Sequence, residues 1–119
     1  MREKVHYPIG VLIMAYGGPN SLEEIPGYLA DIRNGRPTSP AVLEEITHNY
    51  SRIGGKSPLL EISQQQVAAV QARLDPERFR CYLGMRHWAP WIEEVVGQMV
   101  EDGITHAISL VLAPHFSKL

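Results

Sequence analysis

The residues best placed to do chemistry follow an apolar run, Ile9-Gly-Val-Leu-Ile-Met-Ala15, which ends in Tyr16-Gly-Gly-Pro19. The run is short enough to be a strand buried on both faces. A tyrosine just past the carboxyl end of such a strand stands where parallel α/β sheets bind ligands. Tyr16 either faces a ligand or simply covers the sheet edge, and the residues alone weigh these about evenly. Gly17-Gly18 is either a tight turn or a phosphate cradle at a helix start. It is neither G-x-G-x-x-G nor a P-loop, so the nucleotide signal is weak. Two further loops carry imidazoles, Arg86-His-Trp-Ala-Pro90 and Ala113-Pro-His-Phe-Ser117. A lone histidine is more often a hydrogen-bonded structural residue, but a shared rim raises the functional weight of His87 and His115.

Two polar loops are unusual. Arg33-Asn-Gly-Arg36 places two fixed cations where a helix should end. Arginine forks suit carboxylates, while compensation of the helix dipole is the plainer reading and slightly the heavier one. Asn49-Tyr50, followed by Gly54-Gly-Lys-Ser-Pro58, brings an amide, a phenol and a hydroxyl close in sequence. His6, His48 and His106 fall on the N-terminal arm, a helix and a strand start, and no role is assigned to them. Cys81 reads as a small core residue. Trp88 and Trp91 read as packing residues.

The elements that must position these groups follow from periodicity and punctuation. Ser21-Leu-Glu-Glu24 has capping-box form, and a first helix is predicted from about residues 23–26 to before Gly35. Ser39-Pro40 and Ser57-Pro58 each read as an N-cap followed by proline at the first helical position. The stripe Leu43, Ile46, Tyr50, Ile53 predicts a second helix. Leu59, Ile62, Val67, Val70 and Leu74 predict a third. Residues 78–85 alternate as a strand. Pro90 opens a helix expected to turn Trp91, Ile92, Val95, Val96, Met99 and Val100 inward, and residues 104–112 form a third strand. The order β-α-α-α-β-α-β implies an α/β fold: a three-layer parallel sheet with helices on both faces and right-handed crossovers.

The 119 residues suffice for one core, not two. A net charge of −2 gives no general attraction to nucleic acid or anionic membrane. No run reaches membrane-spanning length, and the N-terminus lacks the apolar segment of a signal peptide. A single cysteine excludes an intrachain disulfide. A soluble cytoplasmic protein is expected. Three apolar strands are more than these helices can cover, so residues 1–119 read as the front part of something larger, incomplete at the C-terminus. An exposed sheet edge would promote self-association.

Taken in order, Met14-Ala-Tyr-Gly-Gly-Pro19, Ile32-Arg-Asn-Gly-Arg36, Asn49-Tyr50, Ile53-Gly-Gly-Lys-Ser-Pro-Leu59, Gly84-Met-Arg-His87 and Leu112-Ala-Pro-His-Phe-Ser117 resemble the N-terminal half of ferrochelatase. Each motif is weak alone, but the ordered set is specific and covers the chain from Ile9 onward. Tyr16 makes it most similar to the Gram-positive type that metallates coproporphyrin III. The resemblance implies a chelatase-like, flavodoxin-like half and a role in haem biosynthesis. Its partners would be coproporphyrin III and Fe²⁺, the iron a substrate and no prosthetic group present. It implies Tyr16 as axial ligand of the porphyrin iron. A phenol needs a nearby metal charge to favour its phenolate. It implies Arg33, Asn49, Tyr50 and Ser57 at substrate-binding positions and His87 at the same rim. At two of these places the family often has arginine where Asn34 and Asn49 stand here. The family's catalytic histidine and glutamate belong to a second domain, so no catalytic residue is assigned in this chain, and His115 is not that histidine. A non-enzymatic porphyrin- or haem-binding half domain is the alternative. A flavodoxin-like phosphate or flavin binder leaves the polar loops unexplained.

Overall fold

The computed structural model describes residues 4–112. Its centre is β1 (Ile9–Ala15), paired in parallel with β2 (Phe79–Met85) on one side and β3 (Ala107–Val111) on the other. The register runs from Ile9 opposite Phe79 to Ala15 opposite Met85, and from Gly10 opposite Ala107 to Met14 opposite Val111. Between β1 and β2 lie a short 3-10 turn (Leu22–Glu24), α1 (Ile25–Ile32), α2 (Pro40–Ser51) and α3 (Leu59–Arg73), and α4 (Ile92–Glu101) links β2 to β3. The chain leaves β1 to one side and returns past it to the other. Right-handed crossovers then set α3 and α4 on opposite faces of the sheet. The expected α/β fold and its element order are what the structure shows.

Burial explains why β1 is central. Val11, Leu12, Ile13 and Ala15 are buried, as are Met85 at the end of β2 and Met99 on α4. Burying a side chain such as Ile13 or Met85 completely is worth about 1.5–3 kcal/mol. A second cluster sits beyond the strand ends, where Ile25, Tyr28 and Leu29 of α1 pack with Leu22, Leu43, Ile46, Tyr50 and Trp88. It fastens α1 and α2 to the loop after β2.

Several local expectations shift. The Ser21 hydroxyl makes no cap bond; the Glu24 carboxylate instead accepts from Asn20 N–H at 2.9 Å. Ser39 does cap α2, accepting from Val42 N–H at 3.3 Å. Ser57 accepts from Leu59 N–H at 3.2 Å, but α3 begins one residue later than expected, with Pro58 at the N-cap. Val96 and Val100 of α4 and Ile62 of α3 are exposed rather than inward. All residues of β3 are exposed. Periodicity marks which residues could face a layer; it does not supply the layer.

The two sheet edges differ. The Gln71 side chain of α3 donates to Phe79 C=O at 3.0 Å and accepts from Cys81 N–H at 2.7 Å, closing the outer edge of β2. Beside it, burial pushes the Cys81 thiol up from its ordinary value. On the same strand Tyr82 donates to Asp102 at 2.8 Å, and Arg80 stands 3.5 Å from that carboxylate. Burial, and then this bond, push the Tyr82 phenol up to about 12. Ser63 on α3 is buried, and its hydroxyl has no partner among the described residues.

Replacing Gln71 by Ala should lower stability by about 1–2 kcal/mol, the worth of two edge hydrogen bonds that water partly replaces. Ser63→Ala should do the opposite and raise stability by about 1 kcal/mol, because it removes an unpaired buried hydroxyl. Urea midpoints of the two variants check both signs.

Candidate functional site

The site is built where β1 and β2 run out. Pairing does not stop at Met85. Arg86 N–H donates to Ala15 C=O at 3.1 Å, and His87 N–H donates to Tyr16 C=O at 2.9 Å. The two loops thus zip together for two more residues and set Tyr16 and His87 side by side. Their ring centroids lie 4.7 Å apart with planes inclined at 54°. The register brings the two loops together, but by itself it would set Tyr16 opposite Arg86; the ring contact with His87 arises where the loops leave strand geometry.

The glycines after Tyr16 make the zip possible. Gly17 has φ +101°, and a Cβ there would come within 2.9 Å of Trp88 N. A Cβ on Gly18 would strike the Ser57 side chain, with its Oγ at 2.6 Å. Ser57 N–H donates to Pro19 C=O at 2.8 Å and holds that approach. The glycines therefore face two neighbouring protein segments rather than an open phosphate cradle. Of the two sequence readings, the tight, close-packed turn is the one observed.

One face of α1 and the turn before it grips both loops. Glu24, Tyr28 and Asp31 fall at i, i+4 and i+7, so they share a face. Glu24 accepts from Trp88 Nε1–H at 2.5 Å. Tyr28 O–H donates to Gly17 C=O at 3.2 Å. Asp31 Oδ2 lies 2.8 Å from His87 Nδ1. Trp88 stacks edge-on to Tyr28 at 6.2 Å and lies 5.7 Å from Trp91, so both tryptophans pack as expected. The Tyr28 phenol is pushed up to about 12, first by burial, then by the neighbouring Tyr16, Tyr50 and Asp31.

The sequence-assigned residues divide into those the fold gathers and those it leaves at the margin. Tyr16 is 46% exposed, with its ring against His87. Tyr50 is half-buried against the Tyr28 cluster, and Ser57 touches the glycine turn. Arg33 caps the C-terminal end of α1, two residues past Asp31, and is exposed. Arg36 Nε–H donates to Arg33 C=O at 3.0 Å, which shapes the turn. The Arg33 guanidinium has no ion pair among the described residues. Asn49 is exposed on α2, with no side-chain hydrogen bond among the described residues. His6 and His106 lie together far from this rim, with rings 6.4 Å apart. His115 lies outside the described residues.

Sequence reasoning missed Asp31 and Glu24 as partners of the second loop. The signal was present as a polar stripe, Glu24-Tyr28-Asp31, beside the apolar stripe Ile25-Leu29-Ile32 on one short helix. Next to this helix a cleft of about 550 Å³ opens between Asp31, Arg86, Trp91 and Glu94. Among the described residues no group of three or more histidine, cysteine or acidic side chains is placed to hold a metal ion. The rim thus presents an O-donor phenol and an imidazole together, donor types that suit a metal-bearing ligand.

Comparison with known proteins bears on what that ligand is. A profile of the ferrochelatase family matches residues 8–119. The ferrochelatase of Deinococcus radiodurans is 58% identical over 114 residues, covering 94% of this chain and 36% of that protein. The coproporphyrin III ferrochelatases of Halalkalibacterium halodurans and Bacillus subtilis are 48% and 44% identical over 113 residues, covering 92% of this chain and 36% of each. The chain thus spans little more than a third of the length of these relatives.

The Tyr28 bond to Gly17 gives a test of how the rim is held. Tyr28→Phe should lower stability at neutral pH by about 1 kcal/mol. The phenol ionises at about 12 in the folded chain against an ordinary 10.0, so its contribution is complete below pH 10.0 and fades as pH rises towards 12. Urea midpoints of the two proteins should therefore converge across that alkaline window.

Proposed function

The chain belongs to the ferrochelatase family, and on that premise we propose that it is the N-terminal part of a lyase-type enzyme of haem biosynthesis that inserts Fe²⁺ into coproporphyrin III. The observation that carries the reading is the exposed Tyr16 phenol, set against His87 with ring centroids 4.7 Å apart; Arg33, exposed at the end of α1, has no ion pair among the described residues. The names of the relatives from Halalkalibacterium halodurans and Bacillus subtilis support coproporphyrin III as the porphyrin.

Metallation needs a distorted macrocycle, a base for two pyrrole protons and a route that strips water from the ion. In this reading Tyr16 is the axial oxygen donor to the porphyrin iron. Arg33, Asn49, Tyr50 and Ser57 bind the substrate, with the Arg33 fork meeting a propionate. The neutral amide of Asn49 supplies a hydrogen bond rather than a charge. Fe²⁺ is a substrate, and no prosthetic group takes part. The pyrrole base is assigned to the family's second domain, so the 119 residues alone bind porphyrin without turnover. No helix of the described residues is long and apolar enough to cross a membrane. We place the protein in the cytoplasm.

A second reading, a porphyrin-binding half domain that pairs with itself, is favoured by β3. Among the described residues its outer edge has no strand partner, and Ile108, Leu110, Val111 and Leu112 are exposed, whereas Gln71 bonds to the opposite edge. Mass in solution with and without porphyrin separates the two readings.

The test is a spectroscopic titration of the 119-residue protein with coproporphyrin III, followed by anaerobic Fe²⁺. Saturable binding without insertion is expected, and rapid insertion would overturn the assignment of the base to another domain. Tyr16→Phe should abolish the phenolate-to-iron absorption of the ferric coproporphyrin complex. An unchanged spectrum in that variant would remove Tyr16 as the ligand.

A further inference from the structure

Asp31 reaches across from the last turn of α1 to a residue 56 positions later, and its contact is directional. Its Oδ2 lies 2.8 Å from His87 Nδ1. A carboxylate can only accept a hydrogen bond, so Nδ1 must carry the proton. That selects one neutral tautomer and leaves the lone pair on Nε2. The imidazole is mostly enclosed, with 16% of its side chain exposed, while the carboxylate is 36% exposed. The backbone of His87 is fixed by its bond to Tyr16 C=O, and its ring is held by Asp31 and by the Tyr16 ring. Tyr16 is less constrained. Among the described residues its hydroxyl makes no hydrogen bond, and the aromatic ring packed against it is that of His87. The direction of the phenol thus depends on the imidazole, and the imidazole on the carboxylate.

We propose that Asp31 is a positioning residue for the porphyrin-facing phenol: it fixes the tautomer and plane of His87, and His87 in turn holds the Tyr16 ring in ligating orientation. The proposal rests on the functional reading only for what Tyr16 binds. The chain Asp31–His87–Tyr16 is a property of the ligand-free protein. It has the logic of the outer partners that orient metal ligands through a histidine or carboxylate. The carboxylate end of the pair is open to solvent, which keeps the contribution of the pair to folding small, about 1 kcal/mol. The fold rests instead on buried side chains such as Ile13, Ile25 and Met85, whereas Asp31 is exposed. Substitution at Asp31 therefore leaves a folded protein to examine.

Two measurements on the whole 119-residue chain test this. Long-range ¹H–¹⁵N spectra of the ligand-free protein should show His87 as the Nδ1–H tautomer, with cross-relaxation between the His87 and Tyr16 rings. Asp31→Ala should mix the tautomers and weaken the ring contact. Asp31→Asn, which still offers an acceptor oxygen but no longer excludes the other tautomer, should restore the ring contact and leave the tautomers mixed. Titration with ferric coproporphyrin III should show affinity lowered about tenfold in Asp31→Ala, the lower range for loss of an orienting partner, and largely recovered in Asp31→Asn. An Nε2–H tautomer in the unsubstituted protein, or tautomer and ring contacts unchanged in Asp31→Ala, would overturn the proposal. Failure of the unsubstituted chain to bind ferric coproporphyrin III would overturn the functional reading instead, with the spectra still deciding the role of Asp31.

Discussion

The structure of the rim depends on two backbone hydrogen bonds that carry the β1–β2 ladder past the end of the sheet, from Arg86 to Ala15 and from His87 to Tyr16. A parallel ladder usually ends where the strands part towards their helices. Here the first loop stays beside the second because Gly17 adopts a left-handed conformation and has no Cβ to meet Trp88. Every later feature of the site inherits this constraint. Tyr16 and His87 become neighbours, Trp88 is delivered to the α1 cluster, and the turn is left close enough to Ser57 for a backbone bond.

Helix α1 is the second determinant. It is only eight residues long, too short to be stable alone. Its apolar residues Ile25 and Leu29 are buried in the cluster with α2 and Trp88. Its polar line, continued back to Glu24, holds each loop by a different group: a carboxylate on Trp88, a phenol on Gly17 and a carboxylate on His87. Apolar burial sets where the helix lies, at about 1.5–3 kcal/mol for each fully buried large side chain. The polar contacts set what it orients. That division lets the rim be tuned with little effect on the fold.

The two edges of the sheet are unlike. At β2 a glutamine side chain supplies the partners a neighbouring strand would otherwise supply, a common protection for an edge. At β3 the strand is exposed on both faces and carries large apolar residues.

Much of this was legible in the residues. The apolar run from Ile9 to Ala15 was short enough to read as a strand buried on two faces, and it is one. Proline, glycine and serine punctuation placed the helices within a few residues, because those residue types act through local backbone geometry. The ordered motifs identified the family, and Tyr16 stood out because it follows a strand. Residue pattern showed too few helices to cover three apolar strands, but not that Val96, Val100 and β3 are the parts left exposed, since burial depends on what else is packed there. Nor could it choose between a glycine turn and a phosphate cradle, or pair Asp31 with His87 and Gln71 with β2. Those contacts join residues that are distant in the chain, and only the register of β1 with β2 and the lie of α1 bring their donors and acceptors within hydrogen-bond range. The sequence by itself determined the elements, their order and the chemistry available at the loops. The tertiary structure decided which groups meet, because a hydrogen bond requires a position and direction in space that chain order does not contain.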